Sequence, residues 1–316
     1  MKRYWTWPIT LDLFLGGLGG GSLLLIMIFQ LFFGDLGPYF ALAAFVSAAA
    51  LAIACFFLVF ELGQPTQFLR VFVSATAIIK WGAVLISVAL IFGAIYFATY
   101  LPWEWLSFLV PLRLVSIVIA GISGLLVMLY TGVLLASCKA HAFWASAALP
   151  VLFLVSGIAL GGATCMLCLG VWIEPLDAQA LVVQAGLMTI LKYIEIVAVG
   201  LSGIILLLYV LSQRGSGQDV ARTIAMRWTK GSFAFLFWGI IVFFGTILPF
   251  VLLFIEGTGG ALVAAVLVLV CGLILRFMIV YSDGRRLVPG EKRFYERLPH
   301  HDAAFLTAWK GKENQY

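Results

Sequence analysis

The feature that most constrains this chain is a series of long apolar runs with few interruptions. An α-helix needs roughly 20 apolar residues to cross the ~30 Å hydrocarbon core of a membrane. Eight such runs follow one another, near residues 11–33, 38–62, 78–100, 114–136, 146–173, 181–211, 231–255 and 259–281. They are continuously apolar, whereas a strand of a membrane barrel alternates in polarity. The sequence therefore predicts an all-α integral membrane protein, a bundle of eight transmembrane helices.

The composition excludes a water-soluble globular domain. Of the 316 residues, 64% are hydrophobic and only 10% are charged, so one soluble core could not bury this much apolar surface. Short polar pieces such as "GDLGP" and "IEPLDAQ" separate the runs. We expect residues 1–282 to form one transmembrane domain and residues 283–316 to form a polar tail.

The charged residues between the runs indicate the orientation. Most of the 19 basic residues fall on one predicted face: Lys2, Arg3, Arg70, Lys139, Arg214, Arg222, Arg227, Lys230, Arg285, Arg286, Lys292, Arg293, Arg297, Lys310 and Lys312. The opposite loops are acidic, with Arg113 as the one basic exception. Because basic loops stay inside, both termini are predicted to be cytoplasmic. The net charge of +5 then reflects topology and contact with anionic lipid or a cytoplasmic partner, not nucleic acid.

Several cofactor classes lack their usual ligands. Haem b in a membrane bundle needs histidines within the spans, and His141, His300 and His301 all fall outside them. The "CMLC" segment at 165–168 has redox-motif spacing, but small sulfur side chains also pack well between helices, which is the interpretation we favour. No Walker A loop is present. The sequence predicts no haem and no metal site in this chain.

A few polar residues lie within or at the ends of the runs. Because a polar side chain in the hydrocarbon core costs free energy, these residues are candidates for function. Asp12 opens the first run, Glu61 closes the second, and Tyr130 and Thr131 lie near the end of the fourth. All are predicted at one level near the cytoplasmic face. There they could hydrogen-bond the carbonyl of a lipid-soluble quinone and exchange its protons. The alternative is that the carboxylates reach interfacial water and Tyr130 belongs to an aromatic belt.

Two charged residues, Lys192 and Glu195, lie deeper, in the sixth run and on one helical face. They form either a neutralised structural pair or part of a proton path. In the first run, the glycines between Gly16 and Gly21 predict a face where helices pack closely.

Several stretches, in order, resemble the NrfD/PsrC family, the quinone-interacting membrane subunits of polysulfide reductase-type complexes. They are "WTWPITLDLFLGGLGGG" at 5–21, "FELGQPTQF" at 60–68, "YTGVLLASCKAHAFWASAALPVLFLVSGIALGGA" at 130–163, "EI" at 195–196 and "LRFMIVYSDG" at 275–284. The resemblance covers essentially all eight runs, and the block from 130 to 163 is its most specific part.

The resemblance implies a membrane subunit that binds menaquinone or ubiquinone and carries no haem. It implies a ferredoxin-like partner with [4Fe-4S] clusters and a catalytic partner with a molybdenum or tungsten pterin, so the catalytic site for the terminal substrate lies on another subunit. Carried over by position, Glu61, Tyr130, Asp12 and Glu195 match polar positions of the family. Thr10 and Asp12 stand where members often have His or Asn. The terminal substrates of such complexes include polysulfide, sulfite, formate, tetrathionate and arsenic oxyanions.

Sidedness sets this protein apart from many relatives, in which the quinone-site face looks outward. Here that face is basic, so we expect a cytoplasmic partner in a prokaryotic inner membrane. The alternative is that the basic surface docks an acidic partner. Two other functions stay open at this point: a secondary transporter with a midplane site at Lys192 and Glu195, and an anchor without quinone chemistry.

Overall fold

A computed structural model of the protein describes residues 7–61, 78–139, 141–172, 178–255 and 257–282. The membrane helices are α1 (Trp7–Phe33), α2 (Gly37–Glu61), α3 (Ile78–Ala98), α4 (Arg113–Ser137), α5 (Ala148–Trp172), α6 (Ala178–Arg214), α8 (Leu248–Phe254) and α9 (Thr258–Tyr281). A short helix α7 (Asp219–Thr229) follows α6. A 3-10 helix (Glu104–Leu112) precedes α4, and a π-helix (Phe235–Ile247) leads directly into α8.

The predicted all-α, eight-span architecture is confirmed. Eight helical segments of the described ranges are long and apolar enough to cross a membrane, and the π-helix with α8 forms the seventh of them. The observed ends agree with the apolar runs to within about four residues, because the thickness of the hydrocarbon core sets the length of each run. The predicted tail, residues 283–316, lies outside the described residues.

Helix α1 is the centre of the bundle and packs against α2, α4, α5 and α9. Its glycines allow this, as the sequence predicted. A Cβ placed on Gly20 would lie 2.6 Å from the carbonyl oxygen of Gly124 in α4. One placed on Gly21 would lie 2.1 Å from the carbonyl oxygen of Gly157 in α5. The backbone of α1 therefore touches the backbones of two neighbours on two of its sides.

The loop between α4 and α5 is buried against the bundle. Phe143 and Trp144 are fully buried, and the Trp144 indole donates to the carbonyl of Ile279 in α9 at 2.9 Å. The Tyr209 hydroxyl in α6 donates to the carbonyl of Phe143 at 2.6 Å. This loop therefore ties the ends of three helices together at the membrane face where the first helix begins.

An ion pair on the opposite face explains the one basic exception in the charge pattern. Arg113 pairs with Asp35 of the loop between α1 and α2, and its guanidinium also donates to the carbonyl of Thr99 at 3.0 Å. The Tyr100 hydroxyl donates to Asp35 at 2.7 Å. The positive charge of Arg113 is thus neutralised locally, which reconciles it with an otherwise acidic face.

This ion pair makes stability depend on pH. Burial alone would raise the pKa of the Asp35 carboxyl, but hydrogen bonds from Tyr100 and Gly37 and the Arg113 charge lower it below its ordinary value of 3.8. A depressed carboxyl pKa stabilises the fold above the unfolded pKa, and that contribution is lost as pH falls through the folded pKa.

We therefore expect Asp35→Asn to lower the free energy of unfolding at neutral pH by at most about 1 kcal/mol, since the pair is partly exposed. The thermal midpoint falls accordingly. The difference from the wild type should begin to shrink below pH 3.8. Thermal unfolding in detergent at a series of pH values measures it. A difference that stays constant down to the acid limit would contradict the assignment.

Candidate functional site

The candidate site residues lie on two sides of α1, near the membrane face where that helix begins. Asp12 is 3% exposed and lies one turn before Gly16, on the same side of α1. A Cβ on Gly16 would lie 3.8 Å from the Thr131 methyl group in α4. Asp12 is also within electrostatic reach of Cys55 in α2. The structure therefore brings Asp12 and Thr131 to one interface, between α1, α2 and α4.

The Asp12 carboxyl has an unusual environment for a charged group. Its Oδ1 atom is buried, and no donor reaches it from the ranges that the structure describes. The Thr131 hydroxyl donates to the carbonyl of Met128 at 2.8 Å, which leaves its oxygen free to accept a further bond. A buried polar atom without a partner is costly, so this interface suits a ligand with hydrogen-bonding groups.

Tyr130 of α4 packs against α3. Its ring lies against Gly82, where a Cβ would fall 2.0 Å from the phenol Cζ atom. The absence of a side chain at Gly82 leaves space for the ring there. The prediction that Tyr130 converges with Asp12 at a quinone site stays a prediction.

Glu61 is the last residue of α2, close to the predicted end of the second span. Its side chain, together with the "GQPTQF" segment that follows, lies outside the described residues. Its assignment to the quinone site stays a prediction.

The other side of α1 holds a buried cation that the sequence prediction did not include. Arg276 of α9 is fully buried and donates from Nη2 to the Ser156 hydroxyl of α5 at 2.8 Å. Its guanidinium lies 4.1 Å from the centre of the Phe153 ring. Its Nε and Nη1 atoms have no acceptor in the described part of the protein. The only ion pair found there is the one between Arg113 and Asp35, so no described carboxylate neutralises Arg276.

Thr10 belongs to this second side. It lies seven residues before Gly17, hence on the same side of α1, and a Cβ on Gly17 would be 3.7 Å from Arg276 Nη2. The Thr10 hydroxyl is buried without a partner among the described residues. The sequence signal for the cation was the "LRFMIVYSDG" segment, but a single arginine near a span end does not reveal its partner 120 residues away.

Glu195 and Lys192 do not form the predicted pair. Lys192 of α6 donates to the carbonyls of Ile255 and Gly257 at the far membrane face, the first at 3.4 Å. Glu195 is fully buried, and a Cβ on Gly162 of α5 would lie 2.3 Å from its Oε2 atom. Both Glu195 oxygens lack a donor in the described ranges. The lysine reaches the loop because its long, flexible stem extends to the polar boundary.

This geometry does not support the transporter alternative. It required paired broken helices in two halves of the sequence, with a shared site at Lys192 and Glu195. Among the described spans, the fourth begins as a 3-10 helix and the seventh as a π-helix, but neither change of helical type lies at Lys192 or Glu195. These two residues also have different surroundings.

A bundle of eight membrane helices, with a central glycine-rich helix and buried polar groups near one face, defines a polytopic membrane protein with an internal site. Comparison with known proteins then identifies it. The family model "Polysulphide reductase, NrfD" matches residues 1–285. The protein therefore belongs to the NrfD family, and the resemblance noted in the sequence is confirmed.

Two curated relatives are similar at modest identity. Protein NrfD of Escherichia coli K12 is 28% identical over 190 residues, which cover 53% of the present sequence and 60% of that protein. The C subunit of polysulfide reductase from Wolinella succinogenes is 28% identical over an aligned length of 320; the alignment covers 88% of the present sequence and 93% of that protein.

Proposed function

We propose that this protein is the membrane-anchoring, quinone-binding subunit of a multisubunit iron–sulfur oxidoreductase. In this proposal it exchanges electrons between [4Fe-4S] clusters of a partner and the membrane quinone pool. The observation that carries the proposal is the buried carboxyl of Asp12, whose Oδ1 atom has no partner among the described residues, in a member of a polysulfide reductase family. A ferredoxin-like subunit and a molybdenum or tungsten catalytic subunit would complete the complex in a prokaryotic inner membrane.

The residues present fit a quinone head group. Such a ligand has two carbonyl oxygens attached to a flat ring, and its reduced form carries hydroxyl hydrogens that a buried carboxylate can accept. Asp12 Oδ1 lacks a donor among the described residues, and the Thr131 hydroxyl oxygen has acceptor capacity on the same side of α1. A quinone, when bound, supplies two-electron redox chemistry coupled to two protons.

The side chains would divide the work as follows. Asp12 accepts or returns a proton at its Oδ1 atom, as a general base or acid. Thr131 orients the ligand, and Tyr130 and Glu61 would supply further hydrogen-bonding groups. On the other side of α1, the Arg276 guanidinium, which no described residue neutralises, would lower the cost of negative charge at this level of the membrane, because the low dielectric strengthens its field.

The predicted orientation is part of the proposal. Both termini would be cytoplasmic, and the buried polar groups near the start of α1 would lie on the same side of the membrane as the partner. The local pairing of Arg113 with Asp35 supports it, since the one basic exception of the opposite loops is already neutralised.

Metal content tests the proposal directly. We expect the tagged full-length protein, purified from its own membranes in mild detergent, to bring with it iron together with molybdenum or tungsten. Elemental mass spectrometry of the purified complex measures all three metals. An unrelated eight-span protein with the same tag, purified in parallel, is the control. A monodisperse preparation as free of metal as the control would overturn the proposal.

A further inference from the structure

A small cavity lies between α5, α6, the π-helix and α9, away from the Asp12 interface. Its volume is about 40 Å³. Its polar lining consists of Ser156, Ser202, Thr246 and Cys271, set among apolar side chains. A cavity needs roughly 10–15 Å³ and two to four polar partners for each water molecule. The space is therefore large enough for about two or three water molecules.

The hydroxyl groups of the lining are arranged to accept hydrogen bonds. Ser156 donates to the carbonyl of Leu152 at 2.5 Å, and Ser202 donates to the carbonyl of Val199 at 2.8 Å. Their own hydrogens are thus used within their helices, while their oxygen atoms retain acceptor capacity. Water molecules can supply the missing donors.

The π-helix adds a further reason for water. The side-chain hydroxyl of Thr246 donates to the carbonyl of Ile241, five residues back, a spacing that matches the register of the π-helix. Pro249 follows at the start of α8 and has no N–H group. The carbonyl one turn earlier, at Phe244 or Gly245, therefore receives no bond from position 249. In a membrane such groups are satisfied by neighbouring side chains or by water, and Gly245 lines the cavity.

The cavity lies near two buried ionisable groups, Arg276 and Glu195, that form no ion pair with any described residue. At one end, Ser156 is both a lining residue and the acceptor for Arg276. At the other end, Val199 lines the cavity one turn after Glu195 on α6. Glu195 lies against Gly162, and Ser156 and Gly162 are six residues apart on α5, or about 9 Å along the helix axis. Three hydrogen-bonded water molecules span a distance of that order.

We infer that this cavity holds a short column of water that links Arg276 and Ser156 to Glu195. The column serves as a proton path through the middle of the membrane. A proton enters the column at one end while another leaves at the other, so charge moves without any electron. The use of this path in turnover rests on the proposed function, whereas the water itself does not.

Radiolytic labelling tests for the water without any quinone. Brief X-ray exposure of the full-length protein in nanodiscs, in H₂¹⁸O, converts water next to a side chain into radicals that oxidise it. We expect Cys271, which lines the cavity, to gain ¹⁸O at least about five times faster than Met166, which is fully buried in α5 and lines no part of the cavity. Equal, low labelling of both residues would overturn the inference, since the cavity would then be dry or filled by lipid acyl groups.

A filling substitution tests what the water does. Ser202→Leu occupies the cavity and should lower both Cys271 labelling and quinol-linked turnover several-fold, with the iron content unchanged. Ser212→Leu, the same change on α6 away from the cavity, is the matched control. If Ser202→Leu removes the Cys271 labelling but leaves turnover unchanged, the proton path is overturned, even though the labelling of the wild type shows water. A metal-free preparation with a labelled Cys271 would overturn the proposed function and leave the water column standing.

Discussion

Replacing Asp12 by asparagine is expected to reduce quinone-linked electron transfer by about 100-fold or more, the range seen when a general acid or base is removed. Asparagine has nearly the same size and keeps an oxygen acceptor, but it cannot take up a proton. Because Asp12 is 3% exposed, solvent water cannot readily replace it. Quinol oxidation by the purified complex, or quinone reduction in the reverse direction, measures the effect.

Asp35→Asn is the control for this experiment. It makes the same chemical change on the opposite membrane face, in an ion pair with Arg113. We expect its turnover to stay within about twofold of the wild type. An Asp12→Asn complex with normal metal content and normal turnover would contradict the proton-transfer role of Asp12. Loss of the partner subunits in Asp12→Asn alone would show that the residue is structural.

Gly21→Val is expected to prevent the bundle from forming. The Cβ atom alone would lie 2.1 Å from the carbonyl oxygen of Gly157, and the valine methyl groups would need still more room. Overpacking of a core commonly costs about 1–3 kcal/mol, and here rigid backbone must move, so the cost should exceed that range. Fluorescence-detected size-exclusion chromatography and thermal unfolding in detergent report the amount of folded protein.

Gly186→Val is the matched substitution, on α6, where nothing lies within 4 Å of an added Cβ. This variant should express and elute like the wild type. A Gly21→Val protein that elutes as a monodisperse peak with an unchanged thermal midpoint would contradict the close contact between α1 and α5.

The sequence predicts the number and ends of the spans well because both follow from the thickness of the hydrocarbon core. It also predicts the close packing at Gly20 and Gly21, since small residues in a span have few other uses. It does not predict which way a side chain turns about its helix. Tyr130 faces α3 because of the space at Gly82, and Lys192 reaches the carbonyl of Gly257. Hydropathy carries no information on such contacts between distant segments.

Two features escape sequence analysis for a further reason. The pairing of Arg276 with Ser156 joins helices that are far apart in the sequence, so neither residue alone indicates the other. The π-helix from Phe235 to Ile247 has the same hydropathy that an α-helix would have. Pro249 stands in the sequence of the seventh span, but the sequence does not show the change in hydrogen-bond register before it.

The contacts of α1 also bear on how this protein can evolve. At Gly20 and Gly124, and at Gly21 and Gly157, both partners are already the smallest residue available. If one glycine of a pair is replaced by a larger residue, the opposite glycine cannot be replaced by a smaller one to make room. Compensating pairs of substitutions are therefore not possible at these sites. Other packed pairs in the bundle can drift together over time. These glycines are expected to stay fixed while the residues around them diverge.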